Sequence, residues 1–485
     1  MSSDADVQPL RASPDKAPAG IRFDVFATRV VYLVVLGLGS VSTTQIDLWW
    51  LLRAGQDIWH TGRVSLVERY SHTAAGRYWP NHEWLWEATA YALHHVGGMP
   101  LLCAWTGATV ATTVWLMRRV TRAEGYVVPL VLAATIPLMS VSWTIRPQVT
   151  SMLLFALTML LLARERYRWI PLVFLLWANL HAQVVMGGLL LAVALVAALV
   201  DQLRSRSPES RQRIRRLAVT TAASGTATLF TPLGPRLWEY VLSANGRPGQ
   251  AQIAEWATAF DSRVGAAIVW PVLALTAVLV VRRRPRIARW EDRVPFLASL
   301  AMAPLAVLAI RNIPFLVVAA VPLLMTLLEF RTRRPIGTVA HWRAGLAGFG
   351  AVTAAVVVLA WIAAPPRLAW HPVSPALASA LRGCPGPLYN NYDDGAALIW
   401  WVPDVKVFVD NRQDPYPAPV IDASMGLTAE RYQQTFADFG VRCALLPSGS
   451  LLVDALHRDG WTDSYEDATS VLLVPSAPLA SSATE

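Results

Sequence analysis

The feature that most constrains this chain is its series of apolar runs, with every second connection between them crowded with arginine. The candidate cores are 26–44, 101–117, 126–143, 148–163, 169–182, 184–200, 217–231, 265–281, 294–310, 313–329 and 344–363. About 20 apolar residues cross a bilayer as a helix, fewer where the ends can snorkel. No water reaches backbone groups in hydrocarbon, so each run must satisfy its own hydrogen bonds, which an α-helix does. Arg118, Arg119 and Arg122 follow the second core, and Arg164, Arg166 and Arg168 the fourth. Arg204, Arg206, Arg211, Arg213, Arg215 and Arg216 follow the sixth. Arg282, Arg283, Arg284, Arg286, Arg289 and Arg293 follow the eighth, and Arg331, Arg333, Arg334 and Arg343 the tenth. Basic connections stay in the cytoplasm. The alternation therefore predicts an α-helical polytopic membrane protein of about eleven spans, N-terminus inside and C-terminus outside.

Composition agrees, with 54% hydrophobic and only 15% charged residues, against about a quarter charged in a soluble domain. The net charge of +9 sits in the loops, so it is a topology signal and not a nucleic-acid surface. Lys16 and Lys406 are the only lysines; arginine and alanine dominance suggests a GC-rich bacterial genome, and hence a bacterial plasma (inner) membrane. Residues 1–24 are polar and read as a disordered cytoplasmic tail, with no clear cleavage site after the first apolar run. The stretch 84–96 carries Glu87, His94 and His95 and is short for a span. It is expected to be interfacial or re-entrant, the alternative being an extra crossing paired with a longer 101–117 region.

From 366 to 485 the character changes to that of a small soluble α/β domain on the extracytoplasmic side. Strands are expected at Val405–Asp410, Cys443–Pro447 and Val471–Pro475, with helices at 395–402, 428–439 and 451–459. Cys103 lies in an apolar run and reads as core packing. Cys384 and Cys443 have no metal-ligand spacing; they pair in an oxidising compartment or remain two buried thiols.

Given this topology, the chemically varied residues fall on the outer side. The loop 45–83 opens on Asp47 and a stretch with helical spacing, expected to lie in the interface with Trp49, Trp50 and Trp59 as anchors. Asp47 sits at the end of an apolar helix, where a carboxylate without a partner is costly. Either Arg53 neutralises it, or it faces a cavity as a general base or metal ligand. His82 and Glu83 close the loop. Further outer positions are Arg146 and Gln148, then Asn179 and His181, then Arg236 and Glu255, then Arg311 and Asn312. Each alone can be a helix cap or a turn. Together they suggest an outward cavity suited to an anionic lipid phosphate. The stretches Asn390–Asp394 and Asp410–Asp414 are sugar or metal ligands, or strand-end turns.

An aspartate closing the first helix, a long outer loop and a His-containing motif opening the next helix resemble the GT-C superfamily. These are polytopic glycosyltransferases such as protein mannosyltransferases and aminoarabinose transferases. Asp47-Leu48-Trp49-Trp50, the run from Ser71 to Leu85, Arg146-Pro147-Gln148, Trp177 to His181 and the Asn390–Gly395 and Val407–Arg412 segments also look like a group of bacterial membrane proteins. The resemblance implies transfer of a sugar from a polyprenyl-phosphate donor to an extracytoplasmic acceptor. Asp47 would then act as base or acceptor-positioning group, with His82 and Glu83 nearby. Arg146, Arg236 or Arg311 would stabilise the leaving phosphate, and Arg53, Gln148, Asn179, His181, Glu255 and Asn312 would complete substrate binding. The family's Glu-x-Asp pair is here Gln45-Ile46-Asp47, so both activity and a divalent cation stay open. A transporter or flippase of lipid-linked precursors and a non-catalytic assembly protein are the competing readings.

Overall fold

A computed structural model describes residues 20–42, 44–243, 253–329, 337–363, 368, 370–425 and 427–476. Most of the expected tail and the basic residues Arg331, Arg333 and Arg334 lie outside them. Each of the eleven apolar cores carries a helix. In order the helices are α1 (Phe23–Ser40), α2 (Leu48–Thr61), α3 (Trp84–Val120), α4 (Val127–Met139), α5 (Pro147–Ala163), α6 (Ile170–Leu180) and α7 (Val184–Ser205). There follow α8 (Pro208–Ala227), α9 (Arg236–Leu242), α10 (Arg263–Arg283), α11 (Trp290–Leu308), α12 (Ile313–Leu328) and α13 (Trp342–Ala363). Six of these helical stretches are long and apolar enough to cross a membrane by length and composition, with α4 and α5 as shorter apolar helices. The chain is a membrane protein.

Local chemistry sets the starts. Proline, which has no N–H to lose, occupies the first turn of α5, α6, α8 and α12. Ser207 and Ser262 cap α8 and α10 through their side chains. Helix α12 is buried along nearly its whole length and forms the bundle axis, whereas α13 buries only Val357 and lies at the rim. α1 and α3 meet through small residues: a Cβ on Gly107 would stand 2.2 Å from Ser40 Oγ.

The ambiguous 84–96 stretch forms the first arm of α3, broken from the rest at Gly98 (φ 60°, ψ −158°) just before Pro100. A straight helix of 37 residues would be about 55 Å long, well beyond a bilayer core. The break lets this arm pack along α2, where a Cβ on Gly55 would stand 2.1 Å from the Glu87 carbonyl oxygen. That packing corrects the reading of the tryptophans. Trp49 and Trp50 are buried, edge-on to Trp401 and Trp79, and only Trp59 is open at 60% exposure.

The connections gather at two ends of the bundle. At one end the arginine loops are tied together by Arg22–Glu124 (3.1 Å), Arg122–Glu291 (2.9 Å), Arg213–Glu165 (3.0 Å) and Arg293–Asp201 (2.6 Å). β1 (Ile21–Arg22) and β2 (Thr338–Val339) pair at that end too. The loop 45–83 and the C-terminal residues lie at the other.

The C-terminal residues form α14 (Pro375–Arg382), β3 (Leu388–Asn390), α15 (Gly395–Trp401), α16 (Ala418–Met425), α17 (Tyr432–Asp438), β4 (Cys443–Pro447), α18 (Leu451–Arg458), β5 (Trp461–Glu466) and β6 (Ser470–Pro475). The sheet order is β3-β4-β6-β5, with β3 and β4 parallel and the other pairs antiparallel. Cys384 and Cys443 are joined in a disulfide, Cα to Cα 6.0 Å. The expected strand Val405–Asp410 is absent from this sheet. Its backbone pairs instead with the loop 45–83: Val407 N–H donates to Tyr70 O (3.1 Å) and His72 N–H to Val407 O (3.0 Å). That loop and the C-terminal residues are thereby one packed unit.

Candidate functional site

Where that unit meets the bundle lies a cavity of about 1220 Å³. Asp47, His82, Glu83, Arg146, Gln148, His181, Glu255, Arg311 and Asn312 all line it. Asp47 precedes the first turn of α2 and makes no capping bond, so its carboxylate is free to reach outward. One oxygen pairs with the Arg146 guanidinium and the other accepts from the Asn411 side-chain amide. Arg146 stands before Pro147, where extended backbone is required, and has φ −144°, ψ 155°. It also donates from Nη1 to Glu255 Oε1 at 2.5 Å. Gln148 Nε2 donates to Arg311 O at 2.7 Å, and Asn312 Nδ2 to Leu305 O at 3.0 Å. Both amides thus hold the short turn between α11 and α12 that presents Arg311. The Arg311 guanidinium lies over the Trp256 ring at 4.5 Å and has no ion-pair partner among the described residues.

Glu83 sits between two imidazoles, with Oε1 at 3.3 Å from His181 Nε2 and 3.6 Å from His82 Nδ1. His181 Nδ1 is 2.8 Å from Ser151 Oγ, which accepts from Trp177 Nε1 at 2.8 Å. With Ser151 donating to Nδ1, the Nε2–H of His181 faces Glu83. The two carboxylates are pushed apart. Burial raises Asp47 above its ordinary range despite Arg146. Burial would raise Glu83 too, but His82 and His181 outweigh it and hold that carboxyl below its ordinary range.

Three expected site residues lie off the cavity. Arg53 does not neutralise Asp47; it pairs with Asp57 one helical turn on, at 3.3 Å. Arg236 stacks over Tyr78 at 5.6 Å. Asn179 is a structural tie: its amide donates to Leu175 O and Phe230 O and accepts from Trp84 Nε1 at 2.8 Å. Residues from far down the chain take their place. Asn391, Tyr392, Asn411, Arg412, Gln413 and Asp414 form the wall opposite the bundle. The stretches Asn390–Asp394 and Asp410–Asp414 form turns, as one of the two expectations had it, and these turns line the cavity. Arg412 anchors the wall, its side chain 1% exposed between Glu68 and Asp410 at 2.6 Å each. Its guanidinium lies over Trp79 (4.6 Å) and Tyr70 (5.0 Å). Glu87 is also at the cavity, taking Asn81 Nδ2 at 2.8 Å.

The donor set does not fit a divalent cation. Among the described residues no three His, Cys, Asp or Glu side chains converge as metal ligands. Asp47 is already taken by a guanidinium and an amide.

No protein-family model and no curated protein sequence matches the chain. Solved structures do. ArnT from Cupriavidus metallidurans bound to undecaprenyl phosphate is 12% identical with a TM-score of 0.54, the match covering 94% of this chain and 98% of that one. The Archaeoglobus fulgidus oligosaccharyltransferase tethered with an acceptor peptide matches at 10% identity and TM-score 0.50, over 86% and 69%. The same enzyme, AglB, in complex with an inhibitory peptide and a dolichol-phosphate, matches at 10% and 0.51 over the same shares. The chain therefore shares the overall fold of these two solved membrane proteins.

Proposed function

We propose that this chain transfers a sugar from a polyprenyl-phosphate donor to an acceptor at the outer face of a bacterial plasma membrane. The observation that carries the reading is the division of labour among the cavity arginines. Arg146 is saturated by Asp47 and Glu255, and Arg412 by Glu68 and Asp410. Of the three arginines that line the cavity, Arg311 alone has no ion pair among the described residues and so has a charge to offer an anionic ligand. Beside it Val185, Met186, Leu189, Leu242 and Leu305 give the cavity an apolar flank that suits an isoprenoid chain. Similar folds hold undecaprenyl phosphate and dolichol-phosphate, which supports the same chemistry here.

In this mechanism Asp47 receives the acceptor's proton as the acceptor oxygen attacks the anomeric carbon. The bond from that carbon to the phosphate oxygen breaks, and its electron pair leaves with the phosphate beside Arg311. The His82–Glu83–His181 group fixes the neighbouring wall and buffers the local charge. With the arginine loops taken as cytoplasmic, the eleven expected crossings would put this cavity and residues 366–485 outside, and the disulfide supports that reading because it suits an oxidising compartment.

The test is turnover of undecaprenyl-phosphate-linked sugars by the purified full chain, with Asp47→Asn and Arg311→Gln beside it. Asp47→Asn is expected to lose at least about a hundredfold in rate while still binding the lipid; Arg311→Gln is expected to weaken lipid binding itself. Undiminished turnover in a folded Asp47→Asn protein removes Asp47 from the mechanism. Movement of the intact lipid across vesicles without cleavage would replace transfer by transport.

A further inference from the structure

The cavity wall opposite the bundle carries polar atoms that no described residue satisfies. Asn411 donates its amide nitrogen to Asp47, which as a carboxylate can only accept, so the remaining free atom is its carbonyl oxygen. That Asn411 Oδ1 is buried without a hydrogen-bond partner among the described residues, as is Gln413 Nε2, and so is Gln183 Oε1 on the facing bundle wall. All three residues line the cavity. Buried polar groups are almost always paired, so orphans on residues that line a cavity point to where a ligand's atoms go. These three are one donor and two acceptors, and Trp50 Nε1 and Glu87 Oε1, also orphaned on cavity residues, add one of each. A phosphate has no hydrogen to offer the two carbonyl oxygens at neutral pH. A hydroxyl both donates and accepts, and a cluster of sugar hydroxyls answers all three.

The wall is also built to hold its shape. Arg412 is locked between Glu68 and Asp410, and Asp410 further accepts from the Tyr416 hydroxyl at 2.6 Å. Between these anchors Gln413 adopts φ 61°, a left-handed conformation unusual for a residue with a Cβ. Strain of this kind persists where the surroundings over-determine it, and it concentrates at ligand sites. Gln413 is one of the residues that line the cavity.

We propose that the segment Asp410–Asp414 reads the transferred sugar: Asn411 and Gln413, with Gln183 across the cavity, hydrogen-bond the hydroxyls of a neutral monosaccharide. Arg311 meanwhile holds the phosphate at the opposite side. Asp393 and Asp414 flank the reading groups and disfavour an acidic sugar such as a uronate. This rests on the proposed glycosyl transfer and assigns its specificity to the C-terminal residues.

The experiment compares the full chain in lipid nanodiscs with its Gln413→Gly variant. Glycine adopts φ near 61° without strain, so the change deletes the amide and leaves the backbone. The probes are undecaprenyl phosphate and a panel of undecaprenyl-phosphate-linked neutral hexoses and pentoses plus a uronate. The variant is expected to bind the bare carrier as the parent does, within about twofold. It should lose roughly tenfold for the sugar-linked lipid the parent prefers, the worth of one buried hydroxyl–amide bond. Gln183→Leu should give the same split from the other wall. Equal binding of the preferred lipid by parent and both variants overturns the assignment, as does an equal loss for the bare carrier. Parental failure to bind either kind of lipid sinks the glycosyl-transfer reading itself, and this inference with it.

Discussion

Asp47 and Glu83 are carboxylates on one cavity whose environments differ in sign. Burial lifts Asp47 and the two imidazoles hold Glu83 down. A group with a raised pKa carries its proton to higher pH, so the basic form of Asp47 appears at higher pH than that of an ordinary aspartate. Glu83 is already ionised there. The rate should therefore rise with pH through one limb belonging to Asp47, and Asp47→Glu, if active, should move that limb. A rate profile flat from pH 4 to 7 for the parent would contradict it. Arg412 makes a second residue-scale case. Arg412→Met leaves Glu68 and Asp410 buried without their countercharge, which typically costs about 3–5 kcal/mol. Arg412→Lys keeps the charge but not the planar fork over Trp79, so it should rescue only part of the loss. Thermal unfolding in detergent measures both, and a change below about 1 °C for Arg412→Met would deny the cluster its anchoring part.

Between elements, α2 and the first arm of α3 approach each other closely beside the site. With a Cβ on Gly55 falling 2.1 Å from the Glu87 carbonyl oxygen, no rotamer change relieves the clash, because the obstacle is backbone. Gly55→Ala should force α2 away from α3 and carry Asp47 with it. The expected result is about 1–3 kcal/mol of lost stability together with loss of turnover; an active, equally stable Gly55→Ala protein would contradict the packing. Elements of this bundle were legible because their signals are local. Apolar length and alternating arginines predicted a helix at every core, and Cys443–Pro447 and Val471–Pro475 read as strands and are strands. Partnership was not legible. Arg53 looked like the neutraliser of Asp47 because it is near in sequence, while the true partners, Arg146 and Asn411, are 99 and 364 positions away. The run Val405–Asp410 has strand composition, yet its hydrogen bonds go to Tyr70 and His72. Residues 407–412 stood out by motif, but nothing in a linear sequence says that Asn411 meets Asp47.

At the scale of the whole molecule, three facts have to agree on one orientation: the arginine loops gather at one end, the cavity opens at the other, and the disulfide lies with the cavity. If residues 366–485 face an oxidising compartment, the Cys384–Cys443 bond forms in the cell and Cys103 stays the one free thiol of the described residues. Protein denatured without reductant should then take one alkyl group, and three after reduction. Three alkyl groups before reduction would put this domain in the cytoplasm and overturn the assigned topology together with the outward site. The bond should matter energetically as well. Closing a loop across a sequence separation of 59 removes unfolded-state entropy worth about 4 kcal/mol in the chain-entropy model. The Cys384→Ser, Cys443→Ser double variant should therefore unfold at a lower temperature. The location of the bond sharpens the consequence. It ties the segment before β3 to the start of β4, and β3 runs directly into Asn391 and Tyr392 at the cavity wall. Loosening it should weaken binding of a sugar-linked lipid more than binding of the bare carrier, because the proposed site for the carrier's phosphate is Arg311, on the bundle side.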